Sequence, residues 1–356
     1  MRILLLGGTG AIGTHLTDAL NKACIDVYVT TRSVRCDHNK VYYIRGDAKN
    51  IQFLRSILGE EWDVVVDFMN YTVEELKERI DILLDNTKRY YFLSSSRVYA
   101  DTYPITEDSP LLKDTEKDSA YLASKEYGLV KAEEEEILRK SGKTNWTIFR
   151  PYIIYSENRF QLGQLEKEDW LYRVIQGKSI ILQKSLIDKK TTLTYSIDAA
   201  EVMSQIILVG NVNTEVYNIV GSSQCSATWG EIAEIYRDIL QKYFNRDIAI
   251  NYIDDNQAHL LRRGRSYYQT SHDRMFNRVF DNTKIKQYKD NNSYKSIRDG
   301  LYESLEKFLE TPHFNFVNQA QEALIDCFTG DFSNIFSVPT LKGKLVYLYF
   351  RLFKTY

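Results

Sequence analysis

Met1-Arg2-Ile3-Leu4-Leu5-Leu6-Gly7-Gly8-Thr9-Gly10-Ala11-Ile12-Gly13 opens the chain, and its reading decides the fold. Residues 1–6 form a largely apolar run of strand length, a glycine-rich turn follows at once, and a helix is expected from Thr14. Strand, glycine turn and helix in that order form the entrance to a dinucleotide site. Gly7 permits a tight turn. Gly10 lets a pyrophosphate approach the N–H groups at a helix N-terminus, and Gly13 lets the helix pack close to the strand. Thr9, Ala11 and Ile12 complete the expected binding turn.

Working outward, strand and helix patterns alternate. Val27–Thr30 and Val41–Ile44 read as strands, and Trp62–Phe68 is apolar through its middle, as buried parallel strands are. Glu74–Leu84 has helical periodicity, Arg89–Leu93 is a strand, Lys125–Lys140 is a Glu-rich helix, and Trp146–Phe149 is a further strand. This alternation predicts an α/β fold with a doubly wound parallel sheet, the Rossmann arrangement. The expected core spans residues 1–155. Residues 156–356 are expected to be mainly a smaller α/β substrate-binding region, with 194–220 returning to the core sheet through a helix start at Thr194–Ala200 and a strand at Val216–Val220. Thr228 and Glu231 have capping-box spacing ahead of another helix.

Composition narrows the function classes. Hydrophobic residues make up 44% of the 356, ample for a full core. A net charge of −2 argues against a nucleic-acid binder, which needs a basic field. The four cysteines and five histidines lack metal-ligand spacing, so no metal is expected. Residues 1–6 are too short for a signal peptide, and no apolar stretch is long enough to span a membrane. A reduced, cytoplasmic protein is the expectation.

Two pairs fit Tyr-x-x-x-Lys: Tyr121 with Lys125, and Tyr127 with Lys131. On a helix that spacing sets phenol and ammonium on one face, and a nearby cation favours the phenolate. Ser94-Ser95-Ser96 follows a strand at the carboxyl edge of the sheet, where ligands sit, and supplies a hydroxyl.

These residues resemble the NAD-dependent epimerase/dehydratase family, a group of extended or atypical short-chain dehydrogenases/reductases. The glycine turn at Gly7–Gly13 matches that family's. Ser94-Ser95-Ser96-Arg97-Val98-Tyr99 resembles its serine strand end, with Ser95 in the catalytic position and Ser96 beside the substrate. Tyr127-Gly128-Leu129-Val130-Lys131, with Glu135 following, resembles its catalytic helix and favours Tyr127 and Lys131 over the other pair. Phe149-Arg150-Pro151 is similar to the strand end whose proline lies beside the nicotinamide, and Gly46-Asp47 resembles the adenine contact. The segment Phe68-Met69-Asn70 is an atypical version of the cofactor-facing stretch. The resemblance runs from Met1 to about residue 235. It departs where Tyr155-Ser156-Glu157 replaces Tyr-Gly-Pro, and where Ser96 and Arg97 replace the Asp-Glu pair that a dehydratase needs to eliminate water.

The end of the second expected strand reads Thr30-Thr31-Arg32-Ser33-Val34-Arg35, without a carboxylate for ribose hydroxyls. Arg32, flanked by Thr31 and Ser33, suits a 2′-phosphate, so NADP is the expected cofactor and NAD the alternative. The resemblance implies a nucleotide-sugar substrate and a place in polysaccharide biosynthesis. Arg262, Arg263 and Arg265 fall where relatives hold the sugar nucleotide's diphosphate. Keto-sugar reduction is the favoured activity and epimerisation with retained cofactor the alternative. A non-catalytic dinucleotide- or RNA-binding relative is the reading from another class. A homodimer is left open. The basic, aromatic tail Leu341–Tyr356 is expected to pack on its own protein or a second subunit, with a membrane surface as the alternative.

Overall fold

The computed structural model describes residues 1–210, 214–261 and 265–353. It divides into two compact units.

The first unit comprises Met1–Ile154, Thr192–Cys225 and Val279–Lys295. Its centre, among the described residues, is a seven-stranded sheet: β1 (Arg2–Leu6), β2 (Asp26–Thr31), β3 (Val41–Arg45), β4 (Val64–Asp67), β5 (Tyr90–Leu93), β6 (Trp146–Pro151) and β7 (Glu215–Ile219). The spatial order is β7-β6-β5-β4-β1-β2-β3, and every pairing is parallel. Ile3 faces Val27 on one side and Val64 on the other. Strands covered on both faces need apolar residues without alternation. Accordingly Ile3–Leu6 and Val64–Val66 are all buried. Chain order reverses between β1 and β4, the place where such sheets open a crevice.

Helices α1 (Ala11–Lys22), α2 (Ile51–Ile57), α3 (Val73–Asp85), α4 (Tyr127–Lys140) and α5 (Ser196–Val209) belong to this unit. Helix α1 starts three residues before the expected Thr14, because Gly10 is extended and serves as its N-cap. Thr72 caps α3 in a box with Glu75. Helix α4 begins at Tyr127 rather than Lys125. Lys125 sits at φ +53°, a left-handed backbone that no helix continues through, and the extended Glu126 caps Gly128 N–H with its carboxylate. Tyr121 lies in a separate short helix, Ser119–Ala123, so the shared helical face expected for Tyr121 and Lys125 does not exist. Val279–Lys295, to which the sequence reading gave no role, also belongs here: Ile105 N–H donates to Val279 O and Asp281 N–H to Ile105 O, both at 2.9 Å.

The second unit comprises Tyr155–Thr191, Ser226–Arg278 and Ser296–Tyr356. Strand Ile180–Gln183 pairs in parallel with Ile250–Ile253. Helices Lys167–Ile175, Trp229–Phe244, Ile297–Glu310, Gln319–Thr329 and Leu341–Phe353 surround them. The Thr228–Glu231 capping box forms as its spacing predicts. Trp170 and Tyr236 are fully buried and pack with centroids 4.4 Å apart. Beside them lies an ionic knot. Arg173 Nη1 donates to Asp326 Oδ1 (2.7 Å), Lys178 Nζ donates to both oxygens of Asp326 (2.9 Å each), and Tyr347 Oη donates to Asp326 Oδ2 (2.7 Å). Within the tail, Leu341–Phe353 thus forms a helix with one anchored face.

Candidate active site

Because the strands are all parallel, Gly7, Arg32, Asp47, Phe68, Ser95 and Pro151 come to one edge of the sheet, at or just past the carboxyl ends of β1 to β6. At the β1 end Gly7 adopts φ +70°, where a Cβ would also meet Met69 Sδ at 2.7 Å. Its N–H donates to Thr30 Oγ1 (2.8 Å), tying the turn to β2. A Cβ on Gly13 would strike Gly8 O at 2.5 Å, so α1 rests directly on the turn. A Cβ on Gly10 would meet nothing within 4 Å. No side chain caps α1 and no acid lies in its first turn. An open, uncapped helix N-terminus beside Thr9, Ala11 and Ile12 fits a pyrophosphate, by backbone N–H donors and by the helix dipole.

At the β2 end Thr31 is buried, and its Oγ1 accepts from Ser33 N–H (3.2 Å). Arg32 and Ser33 are exposed, and the Arg35 guanidinium lies 5.6 Å from the Tyr43 ring. Gly46 N–H donates to Thr31 O (2.9 Å), and Asp47, exposed, accepts from Lys49 N–H. At the β4 end Phe68 N–H donates to Leu6 O (3.0 Å), Met69 N–H to Asp67 Oδ1 (2.9 Å), and Asn70 is exposed.

The serine turn is bound into the protein at two points and braced internally at a third. Ser94 Oγ donates to Glu135 Oε1 (2.6 Å) and Ser96 Oγ to the carbonyl of Arg150 (2.8 Å), while Ser95 Oγ accepts from Arg97 N–H (3.2 Å). That last bond leaves the Ser95 proton available for another acceptor. Arg150 Nε donates to Glu135 Oε1 (2.8 Å) and its Nη1 to Tyr99 Oη (2.6 Å), and Tyr99 Oη donates to Asn218 Oδ1 (2.8 Å). Burial pushes the Tyr99 phenol up to about 12. Burial alone would lower the Arg150 guanidinium, but Glu135 outweighs it and raises it. Glu135 and Ser96 are therefore structural members of one chain that locks β5, α4, β6 and β7. Pro151 ends β6 opposite Ile219.

Helix α4 meets the serine turn backbone to backbone. A Cβ at Gly128 would lie 2.6 Å from Arg97 O. Tyr127, 38% exposed, has the Arg97 guanidinium 5.5 Å and the Lys131 ammonium 5.9 Å from its ring centre. Arg97 is ion-paired with Glu126. Lys131 is buried, 2.9 Å from Glu134 Oε2 and 4.7 Å from the centre of the Phe92 ring. Asp67, wholly buried, accepts from Tyr90 Oη (2.8 Å) and Tyr71 Oη. Desolvation raises the Asp67 and Glu134 carboxyls above their usual range, and burial with the Asp67 charge raises both phenols well above theirs. Asp67, Arg97, Glu126 and Glu134 were not singled out by the sequence reading as site residues. Arg262 and Arg263 lie outside the described residues.

The fold and this edge define a Rossmann-like α/β protein of the extended short-chain dehydrogenase/reductase type. The chain belongs to the NAD dependent epimerase/dehydratase family, whose model matches residues 3–220. A curated relative, the chloroplast stem-loop binding protein of 41 kDa b of Arabidopsis thaliana, is 28% identical over 237 residues, 62% of this chain and 58% of the relative. The chain thus spans little more than half that relative's length. Among solved structures, the dTDP-glucose 4,6-dehydratase of Bacillus anthracis in complex with NAD is 18% identical, with 88% of this chain and 97% of that one covered and a TM-score of 0.64. The UDP-glucuronic acid 4-epimerase of Bacillus cereus in complex with UDP-glucuronic acid and NAD is 16% identical, with 87% and 99% covered and a TM-score of 0.63. At such identities the likeness is one of fold.

Proposed function

We propose that this protein is an NAD(P)-dependent oxidoreductase of nucleotide-linked sugars, with Tyr127 as the group that exchanges a proton with the sugar oxygen. The observation that carries the reading is the contact of α4 with the serine turn, which sets a phenol flanked by two cations next to the Ser95 segment. The Arg97 guanidinium and the Lys131 ammonium stand 5.5 Å and 5.9 Å from the centre of the Tyr127 ring. Ser95, its oxygen already accepting from Arg97 N–H, donates its own proton to the substrate oxygen. The uncapped start of α1 would hold the pyrophosphate of a bound dinucleotide, whose nicotinamide would supply the hydride. Lys131 would hold the nicotinamide ribose, Pro151 would line the ring's place, and Asp47 and the Phe68–Asn70 segment would complete the cofactor wall. Ser96 and Arg97 supply no carboxylic acid, which disfavours dehydration. Arg32 and the absent carboxylate after β2 support NADP. The same missing carboxylate favours net reduction of a keto sugar over epimerisation, which needs the cofactor retained.

A panel of melting temperatures with NAD, NADP, UDP-sugars and dTDP-sugars tests the reading, since a ligand of the folded state raises the midpoint. A shift with NADP and with one sugar-nucleotide class is expected, and no shift with any dinucleotide ends the proposal. Arg32→Ala is expected to lower NADPH affinity relative to NADH by about tenfold. An unchanged ratio ends the NADP preference.

The curated relative's name favours a second reading, binding of a nucleic-acid stem-loop without catalysis. The net charge of −2 weighs against it. Salt-dependent retardation of an RNA hairpin at sub-micromolar protein, without turnover, would select it.

A further inference from the structure

We infer that the helix Leu341–Phe353 docks on an anionic phospholipid surface. It stands apart from the oxidoreductase reading, because it uses none of the residues named there. One face of this helix is committed to the protein: Tyr347 is buried, donates to Asp326 and accepts from Ser333 N–H (2.9 Å). Its ring meets Phe332 edge-on at 6.1 Å. The other face is not. Leu341, Leu345, Leu348 and Leu352 are 74%, 61%, 38% and 72% exposed. Their spacings of four, three and four residues put all of them on one stripe about 60° wide at 3.6 residues per turn. Phe353, Tyr349 and Phe336 are exposed as well and widen the apolar surface.

The charges complete the pattern. Lys342 flanks the stripe on one side, Lys344 and Arg351 on the other, and residues 341–353 contain no Asp or Glu. Lys344 Nζ lies 5.9 Å from the centre of the Phe336 ring and the Arg351 guanidinium 5.8 Å from that of Phe332. The cations therefore stand beside the apolar surface, as they do in helices that sink leucines below lipid headgroups and keep Lys and Arg at headgroup level. At about 1.5 Å per residue the helix is about 20 Å long, too short for a hydrocarbon core of about 30 Å. Among the described residues no helix is long and apolar enough to cross a membrane. The helix lies on the surface. A second copy is a poorer occupant, since symmetric pairing along the stripe brings cations of one helix against cations of the other with no carboxylate between them.

Flotation of the full chain with vesicles of equimolar phosphatidylcholine and phosphatidylglycerol, and with vesicles of phosphatidylcholine alone, tests this. The wild type is expected to float with the anionic vesicles only, and raised salt is expected to release it. The double variant Leu345→Glu, Leu352→Glu changes exposed positions only, so its melting temperature should hold while its bound fraction falls more than about tenfold. Three results overturn the inference: no flotation of the wild type, equal flotation of the variant, or a wild-type dimer that the variant converts to monomer, which assigns the stripe to a second copy.

Discussion

Lys131 Nζ stands 2.9 Å from Glu134 Oε2, one turn further along α4, and both side chains are all but excluded from water. The same ammonium draws on Asp67, so one cation answers two buried acids. Burial nonetheless leaves both carboxyls raised. A raised carboxyl binds its proton more tightly in the folded state, so its stabilising effect is complete below the unfolded value, about 4, and is lost as pH rises through the folded value.

Lys131→Met removes the cation and strands both acids. Urea unfolding at pH 7 should show a loss of about 3–5 kcal/mol. At pH 4, near the unfolded carboxyl value of about 4, the loss should shrink, because acids raised by burial bind protons there and no longer need the lysine. Equal losses at both pH values would mean the acids do not depend on Lys131.

Tyr127→Phe keeps the ring between Arg97 and Lys131 and removes only the hydroxyl. Turnover of the sugar nucleotide should fall by roughly 10²–10⁴, with the dinucleotide-induced rise in melting temperature retained. Tyr121→Phe should leave turnover unchanged, because Tyr121 is buried in a different helix. Loss with Tyr121→Phe and retention with Tyr127→Phe would reverse the assignment.

Gly10 and Gly13 separate binding from folding. Gly13→Ala drives a methyl into the backbone of Gly8 and should cost roughly 1–3 kcal/mol of stability. Gly10→Ala meets open space and should fold as the wild type, while the NADP-induced shift in melting temperature diminishes. A wild-type shift in Gly10→Ala would place the pyrophosphate elsewhere.

Asp326→Asn weakens the knot that joins Arg173, Lys178 and Tyr347. Burial tends to raise the Asp326 carboxyl, but Arg173 and Lys178 prevail and hold it below its usual value. Its contribution is therefore present above the unfolded value, about 4, and is lost as pH falls through the lower folded one. At pH 7 the variant should lose about 3–5 kcal/mol, leaving two buried cations short of charge. A chevron or urea midpoint equal to the wild type would show that the knot is energetically idle.

How much of this was written in the chain follows from the range of each interaction. The β1 strand, the glycine turn and the Thr228–Glu231 box are local, and their residues read correctly in isolation. The start of α4 did not, because the left-handed Lys125 gives no compositional sign. Glu133, Glu134, Glu135 and Glu136 look like one solvated acidic run, yet Glu134 and Glu135 are buried, Glu134 against Lys131 one turn back on α4 and Glu135 against Arg150 on β6. Asp67 reads as an interruption in an apolar strand, and only the arrival of Tyr71 and Tyr90 gives it partners. Side chains whose purpose is set by distant segments are invisible to periodicity.

At Gly128 two main chains touch with no room for a methyl group. The spacing between phenol and alcohol is thus gauged by bare backbone, not by any reacting group. A single added carbon there would pry the helix off the loop while leaving every side chain of both segments in the molecule, so under the proposed roles of Tyr127 and Ser95 a methyl group alone would be enough to silence proton exchange.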